Sequence, residues 1–180
     1  MNVMHIAYDS REQRPLHKMK QYGQSALIEY HEAALQTFDY CLWRDWQATD
    51  GKIVVPEFAI ERKSVEDFIG SWFNKTNKAR EVRKIARAFF WHPRPTIYVL
   101  EGGMAAIAAY DYSRFKSGTI NARTVEAVID KLRYAGTQVI MAGSRYMAEY
   151  VIVSLLKRRM QEEKAGHWRE LWKDKEEASK

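Results

Sequence analysis

The feature that most constrains this chain is a strand that runs directly into a helix. Residues 52–63 have the apolar and β-branched content of a strand. They pass without a loop into a helical pattern that extends from residue 65 to about residue 91, and another β-rich segment follows at 96–100. Strand, helix and strand in this order predict an α/β fold in which helices pack on a mixed sheet.

Turn signals and apolar periodicity divide the rest of the chain. Asp50-Gly51 is a strong two-residue hairpin signal. Asn121 is the predicted N-cap of a helix, and the helix at 65–91 is expected to break around 74–77. The inward face of the helix after Asn121 is predicted to comprise Val125, Val128, Ile129 and Leu132. The other predicted elements are strands at 3–8, 26–30, 38–46 and 139–142 and helices at 16–22 and 146–163. The inward face of the last helix is predicted to comprise Tyr150, Val151, Leu155 and Leu156.

The composition fits one folded domain. The chain has 180 residues, of which 46% are hydrophobic and 29% are charged, an ordinary balance for a globular protein. The mean hydropathy is −0.51, and no apolar run approaches the roughly 18 residues of a membrane span. The single cysteine excludes an internal disulfide, and the N-terminus lacks a secretory signal pattern. We therefore expect a cytoplasmic protein with no membrane contact.

The positive charge is concentrated in one segment. Lys and Arg total 29 against 23 Asp and Glu, a net charge of +6. Residues 75–94 alone hold seven basic residues and one acid, Glu81, which also gives +6. The apolar residues predicted to face the core from this helix are Val82, Ile85, Ala86 and Phe89. The basic side chains then form either a solvated face or a surface for nucleic-acid phosphates. The candidates for phosphate contact are Lys75, Lys78, Arg80, Arg83, Lys84 and Arg87.

Charged side chains end the strand that precedes the helix. Glu61 and Lys63 are two residues apart, so they share one face of that strand. Burying both is unfavourable without a partner, and a divalent metal ion would supply one. Glu61 would be a ligand, and Lys63 would stabilise or orient an attacking hydroxide. Asp39 is the natural second ligand and Asp9 a third acidic strand end. The alternative is an ordinary salt-bridged strand end, because Glu-x-Lys is common.

The segment 61–71 resembles a nuclease signature. It reads ERKSVEDFIGS, and ERKxxxD is the signature of XPF-type structure-specific endonucleases within the PD-(D/E)XK restriction-like group. The letters DSRE at 9–12 are similar to the opening DxRE motif of that family. DY at 39–40 is similar to its GDY motif, and LEG at 100–102 to a strand that commonly ends in EG. The resemblance covers about residues 3–160 and is closest to stand-alone bacterial and phage-type members.

This resemblance implies a fold, a cofactor and partners. The fold is a restriction-endonuclease-like α/β/α sandwich with a central mixed β-sheet, with a nuclease domain at 1–163 and a charged tail at 164–180. The cofactor is Mg²⁺ or Mn²⁺. The substrate is branched, flap or fork DNA, cut near the junction, and the nuclease domains pair as dimers or with another DNA-binding protein.

The resemblance also implies roles for individual residues. Asp39 and Glu61 would be the main metal ligands, with Asp9 nearby, and Lys63 would be the catalytic lysine. The two arginines would hold the phosphate or the neighbouring carboxylates, and the last acid of the motif would support them. The implied catalytic set is Asp9, Arg11, Asp39, Glu61, Arg62, Lys63 and Asp67.

Two departures from the family pattern leave alternatives open. Phe38 stands where the GDY motif has glycine, so we expect a reshaped turn there. The connection between Asp39 and Glu61 is longer than usual, and Asp45 or Asp50 in place of Asp39 is the less favoured alternative. A catalytically inactive DNA-binding or scaffold subunit is the competing function, but the intact acidic and lysine positions favour activity.

The remaining polar and aromatic residues carry weaker signals. Cys41 and His5 are interpreted as packed core residues, and His17, His31 and His167 have no metal-ligand spacing to one another. Trp43 and Trp46 on the predicted hairpin would either pack it or stack on an unpaired base.

Overall fold

A mixed sheet lies between two layers of helices. The computed structural model describes residues 4–12, 28–35, 38–42, 59–91, 96–115 and 120–164. The strands are β1 (Met4–Asp9), β2 (Ile28–Ala33), β3 (Tyr40–Leu42), β4 (Ala59–Ser64), β5 (Ile97–Glu101) and β6 (Gln138–Met141). The helices are α1 (Val65–Phe73), α2 (Lys75–Trp91), α3 (Met104–Ala108), α4 (Ala122–Tyr134) and α5 (Arg145–Lys164). No helix in this part of the chain has the length and apolarity that a membrane crossing requires.

The sheet topology brings several strand ends together. The order is β2-β1-β3-β4-β5-β6. β3 is antiparallel to both of its neighbours, whereas the other pairs of adjacent strands are parallel. Five strands therefore point one way and β3 points the other. As a result, the beginning of β3 lies between the C-terminal end of β1 and the middle of β4.

Alternate side chains of the central strands build two cores. Tyr98 and Leu100 of β5 lie in the core that α1, α2, α3 and α4 cover, whereas Ile97 and Val99 lie in the core that α5 covers. This three-layer α/β/α arrangement around a mixed sheet confirms the predicted fold class.

Cys41 belongs to a smaller cluster on β3. It packs with Ala7 and Leu35 and is 1% exposed. Burial raises the pKa of its thiol to about 12, so the thiolate is scarce at neutral pH. Cys41 is therefore a packed residue, as predicted, and not a nucleophile.

Polar side chains cap the helices at the predicted boundaries. Ser64 is extended, and its hydroxyl accepts a 3.0 Å hydrogen bond from the Asp67 N–H, so α1 begins directly after β4. The helical segment breaks at Asn74, whose side chain accepts hydrogen bonds from the N–H groups of Thr76 and Asn77. Asn121 caps α4 in a reciprocal capping box. These three boundaries confirm the sequence prediction.

Several predicted features lie outside the described residues. They are the helix at 16–22, the Asp50-Gly51 turn, Trp43 and Trp46, the side chain of Phe89 and the tail after residue 164.

Helix α2 is rotated relative to the predicted orientation. Val82 is 49% exposed and Ala86 is also exposed, so the prediction that they face the core is wrong. Ile85 is buried, as predicted, and so is the acid Glu81, which the predicted inward face does not include. Glu81 accepts a hydrogen bond from the Tyr98 hydroxyl across the interface with the sheet. This polar contact outweighs the apolar pattern in deciding which side of α2 faces inward.

The predicted inward face of helix α5 is correct only in part. Leu156 is fully buried and Val151 and Leu155 are half-buried, but Tyr150 is 52% exposed, so its predicted inward position is wrong. Ala148, Ile152 and Leu156 are fully buried, and their four-residue spacing forms a single inner stripe. The broad apolar content of this helix concealed the stripe, because several registers fit the sequence equally well.

Phe38 occupies a backbone conformation that favours glycine. Its φ is 68°, in the left-handed region, and its side chain is 1% exposed. The ring packs edge-on against Tyr98, with 6.3 Å between the ring centroids, and Lys84 Nζ lies 5.3 Å from its centroid. The turn before β3 thus keeps a positive φ despite the missing glycine. Burial of the ring offsets the backbone strain.

Glycine and alanine at position 38 should separate these two effects. Both variants lose the buried ring, which costs about 3–5 kcal/mol of unfolding free energy. The alanine keeps a Cβ atom in the left-handed region, so Phe38→Gly should be more stable than Phe38→Ala by about 1 kcal/mol. In an ordinary strand or helix the order is reversed. Chemical denaturation measures the difference, and an alanine variant at least as stable as the glycine variant would contradict the strain.

Candidate active site

Three acids meet where β1 ends and β3 begins, beside the middle of β4. Glu61, which the sequence places at a strand end, is the third of the six residues of β4. The N–H of Asp9 donates to the carbonyl of Asp39 at 2.9 Å, and the N–H of Asp39 donates to the carbonyl of Ile60 at 3.0 Å. Asp9 and Glu61 are each 2% exposed. The structure therefore gathers the three acids that the sequence places at strand ends.

Asp39 is held between a hydrogen-bond donor and a like charge. Its Oδ2 accepts a 2.8 Å hydrogen bond from the backbone N–H of Arg62. Burial raises the pKa of Asp39 to about 8, and the neighbouring Glu61 carboxylate adds to the rise. The carboxyl group is therefore largely protonated at neutral pH unless further positive charge arrives.

Glu61 is neutralised by two lysines. Lys63 Nζ lies 3.0 Å from its Oε1, and the ammonium of Lys84 contacts its Oε2. Burial alone would raise the pKa of Glu61, but Lys84 and Lys63 outweigh burial and hold the pKa below its ordinary value. Glu61 is thus a charged carboxylate inside the protein.

Lys63 lies between two glutamates on this face of β4. Its Nζ is 3.4 Å from Oε1 of Glu81, which is 1% exposed, and the Tyr98 hydroxyl donates to Oε2 of Glu81 at 2.8 Å. Burial alone would lower the pKa of Lys63, but Glu61 and Glu81 raise it above its ordinary value. Lys63 is therefore a fixed ammonium, able to donate hydrogen bonds and unable to act as a base at neutral pH.

Arg62 points to the opposite face of β4. Its Nη2 lies 2.7 Å from Oε1 of Glu12, and its Nη1 contacts Glu101. Its side chain is 9% exposed. These ion pairs tie β4 to the segment after β1 and to the end of β5. Of the two roles that the resemblance implies for Arg62, the structure shows the holding of neighbouring carboxylates.

Arg11 and Asp67 lie at the margin of the acidic cluster. Arg11 binds both carboxylate oxygens of Asp9, at 2.8 Å and 2.6 Å, and also donates to the carbonyl of Leu35. Arg11 therefore already neutralises Asp9, and a metal ion at Asp9 would compete with Arg11 for its oxygens. Asp67 is exposed at the start of α1, where it accepts a hydrogen bond from the Ser64 hydroxyl.

An open cleft of about 1420 Å³ lies over the cluster. Asp39, Glu61 and Lys63 contribute to its lining together with basic residues of α2. The exposed basic residues of α2 that line it are Arg80, Arg83 and Arg87, hereafter the basic ridge. Lys75 and Lys78 are exposed but do not line the cleft, and Lys84 turns toward Glu61. The cleft thus has an acidic floor, formed by Asp39 and Glu61 together with Lys63, and a basic wall, formed by the basic ridge.

The donor set of the floor fits a hard divalent cation. Asp39 and Glu61 offer carboxylate oxygens, the ligands that Mg²⁺ and Mn²⁺ prefer. Burial, and next the Glu61 carboxylate, raise the pKa of Asp39 more than Lys84 lowers it. A divalent cation held by Asp39 and Glu61 would stabilise the charged form of Asp39.

Sequence reasoning missed Glu81, Tyr98 and the inward position of Lys84. Glu81 carried a signal, because it is the one acid among the basic residues of 75–94 and an isolated acid often has an internal partner. Tyr98 carried none, since it belongs to an ordinary apolar strand. The inward position of Lys84 depends on the rotation of α2, which the apolar periodicity predicted incorrectly.

Comparison with known proteins identifies a family and a solved structure that this chain resembles. The family model of the ERCC4 domain matches residues 8–155, well over half of the chain. Among solved structures, XPF from Aeropyrum pernix has a similar fold, with a TM-score of 0.57 and 19% sequence identity. The match covers 84% of this chain and 64% of that chain, so this chain spans less than two thirds of its length. Among curated proteins, none matches the chain.

Proposed function

Because the chain belongs to the ERCC4 domain family of DNA-repair nucleases, we propose that it hydrolyses phosphodiester bonds of branched, flap or fork DNA with a divalent metal ion. Asp39 and Glu61 hold the ion, Mg²⁺ or Mn²⁺, and Asp9 lies alongside. The proposal depends above all on one observation. The Glu61 carboxylate is buried beside the Asp39 carboxyl group and contacts the side-chain nitrogens of Lys63 and Lys84, at the foot of a basic cleft.

The residues of the floor have distinct parts in hydrolysis. A bound divalent ion would polarise the scissile phosphate and activate a water molecule. Lys63 donates hydrogen bonds to the phosphate oxygen on which negative charge develops as water forms the new P–O bond and the old one breaks. Glu81 fixes Lys63, and Tyr98 in turn fixes Glu81, so the ammonium is in place before the substrate arrives.

The basic ridge provides the positive charge that binds the DNA backbone. Arg80, Arg83 and Arg87 line the same cleft as Glu61, so a DNA backbone that contacts these arginines would lie close to the proposed metal site. The fold and the ridge suit any nucleic-acid backbone. The preference for a branched substrate is supported by the resemblance of the ERKxxxD signature to XPF-type endonucleases.

Cleavage of flap, fork and plain duplex DNA with Mg²⁺ or Mn²⁺ tests this function. We expect cuts near the junction of the branched substrates and no cleavage after metal removal with EDTA. Binding without cleavage in either ion would instead support the alternative, a catalytically inactive DNA-binding or scaffold subunit. Equal cutting of plain and branched substrates would contradict the preference for a junction but would agree with the proposed nuclease chemistry.

Neutralising the basic ridge should weaken DNA binding and flatten its salt dependence. Each lost phosphate contact lowers the slope of log affinity against log salt by about 0.9. A triple substitution, Arg80→Gln, Arg83→Gln and Arg87→Gln, should therefore lower the slope by up to about 3. Fluorescence anisotropy over a salt series measures it. A control variant, Lys75→Gln with Lys78→Gln, removes two exposed charges outside the cleft. An equal change of slope per substituted residue in the two variants would show that the ridge has no special part.

Pairing of two copies, or with another DNA-binding protein, is a further part of the proposal. Helix α5 exposes Tyr146 (53%), Met147 (42%) and Tyr150 (52%), large side chains that a partner could cover. Light scattering after size exclusion measures the mass in solution, and a monomer at micromolar concentration would contradict a homodimer.

The cellular location and the process are the last part of the proposal. We place the protein in the cytoplasm, or in the host cytoplasm if it is phage-encoded. Its process there is DNA repair, recombination or phage DNA processing.

A further inference from the structure

Two histidines and a glutamate form a separate cluster on β1 and β2. His5 and Glu29 are directly opposite each other in the sheet, and His31 lies two residues beyond Glu29, on the same face. His5 Nδ1 is 3.0 Å from His31 Nε2 and 3.3 Å from Glu29 Oε2. The interpretation of His5 as a core residue is wrong, because its side chain is 40% exposed.

We propose that His5, Glu29 and His31 bind a divalent transition-metal ion of the Zn²⁺ type. Zn²⁺ binds imidazole nitrogen and carboxylate oxygen at about 2.0–2.2 Å, which places neighbouring ligand atoms of a tetrahedral site about 3.3–3.6 Å apart. The separation of His5 Nδ1 and Glu29 Oε2 has this length, and the separation of the two histidine nitrogens is slightly shorter. One ligand atom from each residue lies within 4.8 Å of the others. Rotation of the Glu29 side chain, which is 60% exposed, completes the set.

The ligand types distinguish this cluster from the acidic floor. Imidazole nitrogen suits Zn²⁺, Cu²⁺ and Ni²⁺, whereas Mg²⁺ prefers an all-oxygen environment. Each neutral imidazole binds through the named nitrogen when its hydrogen lies on the other ring nitrogen. His5 precedes Asp9 by four residues on β1, about 13 Å along the strand. Binding at the cluster is therefore independent of the proposed cleavage chemistry.

The position of the cluster gives the ion a structural part. Within the described sheet, β2 is an edge strand that pairs with β1. An ion bound by His5 of β1 and by Glu29 and His31 of β2 would link the edge strand to its neighbour. Because the unfolded chain does not hold the three ligands together, binding would stabilise the folded state by mass action.

Titration of Zn²⁺ into the full chain, in the presence of millimolar Mg²⁺, tests the proposal. Calorimetry should show one Zn²⁺ site, and the ring NMR signals of His5 and His31 should shift together. Removing a ligand in His5→Ala or His31→Ala should weaken binding by at least about 100-fold, since the ligands share the binding free energy. Glu29→Gln should weaken it by about 10-fold or more. Zn²⁺ should raise the melting temperature of the wild type and leave that of His31→Ala unchanged.

Glu32→Gln is the matched control, because Glu32 lies on the same strand and the opposite face. It should bind Zn²⁺ like the wild type. Circular dichroism without metal verifies folding, and Glu29→Gln, which keeps the side-chain volume, provides the decisive reading if a histidine variant fails to fold. A wild type that binds no Zn²⁺ would overturn the proposal. Zn²⁺ binding of unchanged strength in Glu29→Gln and in the folded histidine variants would also overturn the proposal.

Discussion

Replacing Lys63 by methionine should lower the rate of DNA cleavage by at least about 100-fold. Methionine keeps the length of the side chain and removes the charge. The ammonium is held by Glu61 and Glu81 in a fixed position at the floor of the cleft. Loss of a preorganised donor to a developing negative charge typically costs about 100- to 1,000-fold in rate. Single-turnover cleavage with enzyme in excess isolates the chemical step.

The matched control is Lys78→Met, which removes an exposed lysine of α2 that does not line the cleft. It should cleave at the wild-type rate. DNA affinity measured without divalent ions should change little in Lys63→Met, because the basic ridge is intact. A folded Lys63→Met variant that cuts as fast as the wild type would remove Lys63 from the mechanism.

Local signals were sufficient to predict the framework of the site. The cap at Ser64 and the break at Asn74 follow from side chains that bond to backbone a few residues away, so their positions could be predicted from the sequence. Strand alternation placed Glu61 and Lys63 on one face of β4, and the structure shows them in contact.

Contacts between distant elements could not be predicted in the same way. The inner face of α2 is decided by Glu81 and Lys84, whose partners lie on β5 and β4. Apolar spacing alone favoured Val82, which is 49% exposed. Buried polar pairs can outweigh a weak hydrophobic pattern because an unpaired buried charge is more unfavourable than an exposed valine.

The ion pairs of Lys63 and Lys84 with Glu61 place most of the positive charge of the acidic floor beside Glu61. Glu61 contacts two ammoniums, whereas the contact of the Asp39 carboxyl group described above is to the backbone N–H of Arg62. Lys84 lowers the pKa of Asp39 but does not cancel the effects of burial and of Glu61. Asp39 is therefore the group whose protonation a bound cation must reverse.

Affinity for Mg²⁺ or Mn²⁺ should consequently rise with pH through Asp39. The pKa of Asp39 in the folded protein is raised to about 8, so below that pH a proton must leave before the carboxylate binds a cation. Linkage predicts an increase of about tenfold per pH unit between about pH 6 and 8, and a plateau above. The pKa of Glu61 is lowered, so Glu61 is already charged over this range and contributes no proton. Calorimetric titration with Mn²⁺ at several pH values measures the slope.

Asp39→Asn removes the titrating group and serves as the critical comparison. Its affinity for Mn²⁺ should be weaker than that of the wild type at pH 8 and should not change between about pH 6 and 8. Asp130→Asn, at an exposed position on α4, should keep the wild-type slope. Without metal, the raised pKa of Asp39 also makes the stability of the folded state depend on pH. The folded state binds the extra proton, so the stabilisation that it provides is present at acidic pH and is lost as the pH rises through about 8. A flat wild-type affinity, or an equal slope in Asp39→Asn, would show that another group controls metal binding.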